Sequence, residues 1–297
     1  MSNLVITGGT GFVGSNLARR LIVDHNVTLI VRLDSYLDNL SDISNELNVF
    51  YYNGQIDSLI EFFKKSNTDC VFHLASLFIA EHTSDQIENL IKSNILFGTQ
   101  LLEAMKEGGV KRIINTGTSW QHYNNEDYNP VCLYAATKQA FETLIDYYHH
   151  GEEFSVITLK LFDTYGETDK RPKLINLLKK FANEGTELSM SMGLQKLDLV
   201  HIDDVVEAYL ISFQKILKNS KPFNLNYGVS SGKHISIREL VSLFESIYGN
   251  KLKINWGDRQ YRKREVMIPS INHIPLPEWQ PKINLQNGLK RIINKND

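Results

Sequence analysis

Two cysteines in 297 residues are too few for a disulfide scaffold, and neither Cys70 nor Cys132 stands at metal-ligand spacing. Cys70 lies in the apolar run DCVFHLA and reads as a small buried hydrophobe. No apolar stretch approaches the roughly 20 residues that a membrane-spanning helix needs. Neither charge sign dominates: 32 Lys and Arg stand against 34 Asp and Glu, for a net charge of -2. That balance excludes the basic surface of a nucleic-acid binder or a polybasic membrane patch. The chain enters a strand pattern at Leu4, which points to a cytoplasmic protein without a signal peptide. Proline is scarce, and Pro269, Pro275, Pro277 and Pro281 crowd the tail, which reads as loop.

The 42% hydrophobic content is ample for one large core or two smaller ones. LVIT (Leu4 to Thr7) leads into a helix from about Gly11 to Val23. VTLIV, VFYYN, CVFHLA, KRIINTG and SVITLKL read as further strands. Helical patterns separate them, including a long one from about Thr83 to Lys106. Strand and helix in alternation predict parallel βαβ units and an α/β doubly wound sheet. After about Tyr165 the rhythm changes. RPKLINLLKKFANEG is an amphipathic helix, and Ser236 and Glu239 have capping-box spacing before a helix ending near Gly249. The expected division is a Rossmann-type domain over 1–165, with about 195–230 returning to it. A smaller C-terminal α/β substrate lobe covers 166–194 and 231–297.

VITGGTGFVG places Gly8, Gly11 and Gly14 three residues apart, between a strand and a helix. Glycine permits a tight turn and close backbone approach to a pyrophosphate, and the helix N-terminus offers free N–H groups. The pattern alone is also that of a plain turn, but its place after the first strand points to a dinucleotide. An acid at the end of the second strand would bond the ribose 2′-hydroxyl of NAD. Arg32 stands there instead, and a guanidinium suits the 2′-phosphate of NADP. Asp34 is close enough to keep NAD open. YAATK then puts Tyr134 and Lys138 one helical turn apart on one face. A phenol's ordinary pKa is about 10, and a neighbouring ammonium would lower it towards useful acid–base chemistry.

These stretches together resemble the extended short-chain dehydrogenase/reductase family, nearly end to end. GGTGFVG is similar to its glycine motif, NILFGTQLLEA to its NVxGTxxLLEA helix and YAATK to its YxxxK. LKLFDTYG is similar to LRxxNVYG, and YRKREVMIP to its RPGD segment. The resemblance implies Tyr134 and Lys138 as catalytic residues, with Thr118 bonding the substrate oxygen. Thr116 and Ser119 are rivals to Thr118 at the same strand end. It implies cofactor contacts from Gly8, Thr10, Gly11, Phe12, Val13, Gly14, Arg32, Gln55, Ile56, Leu74, Ala75, Asn94, Tyr134, Lys138 and Leu161. Substrate contacts fall to Ser76, Trp120, His122 and Arg262, the last on the diphosphate with Arg264 and Lys196 as alternatives. No metal is implied.

The implied substrate is a nucleotide-diphosphate sugar, and the implied assembly a homodimer built on the helix that holds Tyr134. Thr118 is followed by Ser119 and Trp120, not by the Asp-Glu pair that a 4,6-dehydratase resembling its relatives would carry. TSWQHYNNEDYNP and REVMIP resemble the CDP-abequose and CDP-paratose synthase group, NADPH-dependent 4-reductases of surface polysaccharide synthesis. An NAD-dependent 4-epimerase is the alternative. A non-catalytic NADP sensor is disfavoured because Thr118, Tyr134 and Lys138 are all present.

Overall fold

The computed structural model describes residues 1–294, and residues 295–297, the end of the expected lobe, lie outside the described residues. Seven parallel strands form the main sheet: β1 (Asn3–Thr7), β2 (Asn26–Arg32), β3 (Asn48–Tyr52), β4 (Cys70–His73), β5 (Arg112–Thr118), β6 (Ser155–Leu161) and β10 (Asn224–Val229). Their spatial order is β10-β6-β5-β4-β1-β2-β3. The order reverses between β1 and β4, where open parallel sheets place their ligand crevice beyond the strands' carboxyl ends.

Alternate strand residues feed two separate cores, as the pleat requires. Leu4, Ile6, Phe72 and Ile114 meet helices α1 (Phe12–Leu21) and α7 (Ile202–Lys218) through Leu17, Leu21, Tyr209 and Phe213. Val5, Val71, Ile113 and Val156 face the other way. They meet α2 (Ile56–Lys65), α4 (Phe97–Glu107) and α5 (Leu133–Glu152) through Phe63, Leu102 and Phe141.

The helix expected over Thr83 to Lys106 is broken. A 3-10 turn and α3 (Ile87–Ile91) give way to a π turn over Lys92–Leu96 before α4 begins. The π turn carries Asn94, 2% exposed, whose amide closes a local network. Oδ1 accepts from Leu77 N at 2.7 Å and Ser76 Oγ at 3.1 Å, while Nδ2 donates to Leu77 O and Thr137 Oγ1.

Beyond β6 the chain crosses into β7 (Asp163–Tyr165), which pairs with β9 (Lys196–His201), itself paired with β11 (His234–Ser236). A two-stranded sheet of β8 (Leu188–Met190) and β12 (Ile254–Trp256) and helices α6 (Leu174–Glu184), α8 (Ile237–Tyr248) and α9 (Leu285–Asn294) build a third core. Ser236 caps α8, exchanging bonds with Glu239, and Gly249 ends the helix in the left-handed region. The tail is not all loop. Leu285, Leu289, Ile292 and Ile293 lie on one stripe of α9, and Leu289 and Ile292 are buried against the third core. The Pro-dense stretch before α9 hides that short amphipathic pattern.

Candidate active site

The Gly-rich loop connects β1 to α1. Gly8 has φ +75°, and a side chain there would collide with the Ala75 backbone; one at Gly14 would collide with the Gly8 carbonyl. The loop therefore packs at backbone distance from the β4 end. Gly11 is the N-cap of α1, with no side-chain cap and no acid in the first turn. The first-turn N–H groups and the positive helix end thus stay available to an anion, which fits a cofactor pyrophosphate.

Thr118 ends β5, and a loop with two 3-10 turns leads to α5. Its backbone N–H donates to Gln121 Oε1 at 2.9 Å, and its hydroxyl oxygen accepts from Trp120 N at 3.3 Å. The rival Thr116 is committed to Tyr209, hydroxyl to hydroxyl at 2.7 Å. Ser119 stays on the cavity wall beside Thr118.

Tyr134 lies in the first turn of α5, its ring edge-on to Phe78 at 4.9 Å. Burial raises its phenol above the ordinary value, with Cys132 adding to the rise and Ser76 and Arg171 opposing it. The lowering expected from Lys138 does not appear: the groups that oppose the rise are Ser76 and Arg171, not the ammonium one turn along. Lys138 is 2% exposed, and burial lowers its pKa to about 8, with Glu142 pulling the other way. Beneath it His73 bonds Thr7 Oγ1 at 2.8 Å, and burial followed by the Lys138 charge lowers its pKa to about 3.

Tyr134, Lys138 and Thr118 share a cavity of about 290 Å³ with Gly8, Gly11, Phe12, Val13, Gly14, Leu74, Ser76, Trp120 and Leu161. The other expected cofactor residues do not line it. Thr10 accepts from Asn39 Nδ2 through its carbonyl, and Ala75 N donates to Thr7 Oγ1. Asn94 has its amide bonded to Ser76, Leu77 and Thr137. Gln55 caps α2 and Ile56 begins it, beyond β3. Arg32 ends β2 with its side chain 77% exposed and 3.3 Å from Asp34. These last three stand at the sheet's carboxyl edge.

A second cavity, about 220 Å³, adjoins the first and is lined by Phe78, Trp120, His122 and Arg262. His122 was expected to bond the sugar, but both its ring nitrogens are spent on the protein. Nδ1 donates to Glu126 O at 3.1 Å and Nε2 accepts from Lys160 Nζ at 2.8 Å, partners that assign a neutral tautomer. Burial and the Lys160 charge hold its pKa below the ordinary value. Lys160 also lies 3.5 Å from Glu142, which accepts from Gln121 Nε2 at 2.8 Å. This network was missed in the sequence. Its signal was a lysine inside the apolar strand SVITLKL, since a buried charge needs partners.

A third cavity, about 430 Å³, opens into the C-terminal elements. Arg262 lines it and the second cavity, stacks 5.0 Å over Trp120 and holds Glu265 through two nitrogens. Arg264 is turned to Asn129 and Tyr123, off all three walls, while Lys196 lines the second cavity. The structure adds cations that sequence reasoning passed over: Arg259 in the third cavity, Arg171 in the first and Lys173 in all three. Asp163 also reaches all three. Among the described residues, no group of three or more His, Cys, Asp or Glu could hold a metal ion, and no helix is long and apolar enough to cross a membrane.

The arrangement joins a Gly-rich loop, a half-buried tyrosine and a buried lysine in one cavity, beside a cation-lined cleft. Comparison with known proteins agrees. The chain is 29% identical over 275 residues to CDP-abequose synthase of Yersinia pseudotuberculosis, covering 91% of this chain and 92% of that protein. It is 28% identical over 298 residues to CDP-abequose synthase of Salmonella muenchen, covering 98% and 97%. It is 26% identical over 327 residues to UDP-glucuronate 4-epimerase of Thermodesulfobacterium geofontis, covering 99% and 96%. Among solved structures, UDP-N-acetylglucosamine 4-epimerase from Methanobrevibacter ruminantium superposes with a TM-score of 0.86 at 22% identity, over 98% of this chain and 97% of that one. That likeness carries the Rossmann-like fold alone. The sequence profile of the NAD dependent epimerase/dehydratase family matches residues 4–228, and the chain belongs to that family of nucleotide-sugar enzymes.

Proposed function

We propose that this protein is an NADPH-dependent 4-ketoreductase of a nucleotide-linked 4-keto-deoxyhexose, serving surface polysaccharide synthesis. The observation that carries the reading is the shared cavity of Thr118, Tyr134 and Lys138 beside the Gly-rich loop, with Ser119 and Trp120, not carboxylic acids, following Thr118. CDP-abequose synthases as relatives over most of the chain support it.

The residues divide the work. The bound nicotinamide supplies the hydride. Thr118 donates its hydroxyl hydrogen to the substrate carbonyl and orients it. Tyr134, kept protonated by burial, gives its proton to the carbonyl oxygen as the alcohol forms. Lys138, with a pKa of about 8, is largely cationic at neutral pH and stabilises the phenolate left behind. Arg262, with Arg259 in the same cavity, holds the diphosphate. Arg32 meets the cofactor's 2′-phosphate at the sheet edge.

Residues 1–165, with about 195–230, serve as the cofactor domain in this reading, and the remainder as the substrate lobe. It places the protein in the cytoplasm as a homodimer joined through α5, the helix that holds Tyr134.

An NAD-dependent 4-epimerase is the alternative, supported by the UDP-glucuronate 4-epimerase relative. The test is a product-analysed screen of CDP-, dTDP-, GDP- and UDP-4-keto-deoxysugars with NADPH and NADH. Stoichiometric loss of NADPH absorbance with a 4-hydroxy product is expected. Sugar interconversion without net absorbance change would establish the epimerase instead.

A further inference from the structure

Thr118 is the last residue of β5, and the 3-10 turn Ser119–Gln121 follows it. The role proposed for Thr118 needs its hydroxyl held within about 0.5 Å of the productive position. Thr118 and Gln121 cap the turn reciprocally. The Thr118 N–H donates to Gln121 Oε1 at 2.9 Å, and the Thr118 hydroxyl oxygen accepts from Trp120 N at 3.3 Å. A hydroxyl has two acceptor sites and one hydrogen. With the turn's N–H on its oxygen, Thr118 keeps that hydrogen to donate into the cavity it lines.

Gln121 is 0% exposed and lines none of the three cavities, so it does not act by touching a ligand in them. Its partners orient its amide: the oxygen meets an N–H and the nitrogen meets acceptors. Nε2 donates one hydrogen to Gln139 Oε1 at 2.7 Å and the other to Glu142 Oε1 at 2.8 Å. Both acceptors stand on α5, one next to Lys138 and the other a turn past it. The amide thereby bolts the end of β5 to the helix that carries Tyr134 and Lys138. Glu142 is held in turn by Lys160 of β6 at 3.5 Å. Gly117 leaves room for this approach: a side-chain carbon there would lie 3.0 Å from Glu142 Oε1 and 3.1 Å from Gln121 Oε1.

Resting on the nucleotide-sugar reading, we infer that Gln121 is a positioning residue: it fixes the Thr118 hydroxyl relative to Tyr134 by tying the strand end to α5, and it acts on turnover through Thr118. A misplacement of about 1 Å costs about a hundredfold in rate. The transition state suffers more than the bound substrate, because charge builds on the carbonyl oxygen only there. A buried amide that gives stability alone differs in one respect. The effect of positioning disappears once the positioned hydroxyl is removed, whereas lost stability does not depend on that hydroxyl.

A double-mutant cycle on the NADPH-loaded protein tests this. The substrates are the CDP-, dTDP-, GDP- and UDP-4-keto-deoxysugars, and single turnovers are followed by NADPH absorbance. Gln121→Ala lowers kcat roughly tenfold to a hundredfold. KM for the sugar nucleotide and Kd for NADPH stay within about threefold, the pattern of an interaction made in the transition state. In Thr118→Val, which removes the hydroxyl, the same change at Gln121 costs less than about threefold further. Gln121→Met, close to glutamine in volume, takes the place of the alanine variant where that one does not fold. Full multiplication of the two losses overturns the assignment. So does an unchanged kcat in the Gln121 variant, or a loss confined to KM. A wild type that consumes no NADPH with any of the four substrates removes the 4-ketoreductase reading and the role of Thr118 with it, whereas the other outcomes bear on Gln121 alone.

Discussion

The Lys160 ammonium lies 2.8 Å from Nε2 of His122 and 3.5 Å from the Glu142 carboxylate, both partners far away in sequence. The lysine thereby fastens β6 to α5 and to the loop that carries Trp120. Removing one member of such a buried set leaves a charge uncompensated, at a cost of roughly 3–5 kcal/mol. Lys160→Met should therefore lower the unfolding free energy by about that much in denaturant titration. It should also move the His122 Nε2 nitrogen shift, because the donor is lost. Lys160→Arg should restore most of the stability.

His73 sets a pH dependence. Its folded pKa, about 3, lies below the unfolded value near 6.5, so the unfolded chain binds the extra proton first. Its contribution is intact above pH 6.5 and is lost as pH falls towards 3. Thermal unfolding midpoints should decline over that window. His73→Gln should be less stable at pH 7 but flatter against pH. A decline of equal steepness in that variant would assign the acid sensitivity to other groups.

Tyr134→Phe removes the proposed proton donor and leaves the Gly-rich loop untouched. Turnover should fall by roughly two to four orders of magnitude, the range of a positioned acid. NADPH affinity should stay within a few-fold. Near-normal kcat in this variant would sink the assignment.

Arg32 is 77% exposed and holds only Asp34, so it is free to turn to a cofactor phosphate. A charge-assisted contact contributes roughly 1.5–3 kcal/mol. Arg32→Ala should weaken NADPH by about tenfold to a hundredfold and NADH little. Fluorescence titration of the two cofactors decides it; equal weakening moves the 2′-phosphate site elsewhere.

Local periodicity was enough for the sheet, the Gly-rich turn and the shared face of Tyr134 and Lys138. Each depends on residues within one strand, turn or helix, so spacing alone determined it. The capping box at Ser236 and Glu239 was legible for the same reason. The helix α9 was not, because Leu289 and Ile292 become a core face only when the third core is there to bury them. Nor was the fate of His122. Its ring nitrogens are claimed by Glu126 and by Lys160, and the second partner lies 38 positions away. Nor was the Asn94 network, because it takes a π turn to set that amide against Leu77. Asp163 lies in LKLFDTYG and Lys173 in RPKLINLLKKFANEG, stretches whose local pattern shows neither as the wall of a cavity. Only the crossing from one sheet to the other brings three cavities to the one junction that both residues line, because it sets β7 and the start of α6 against the end of the main sheet.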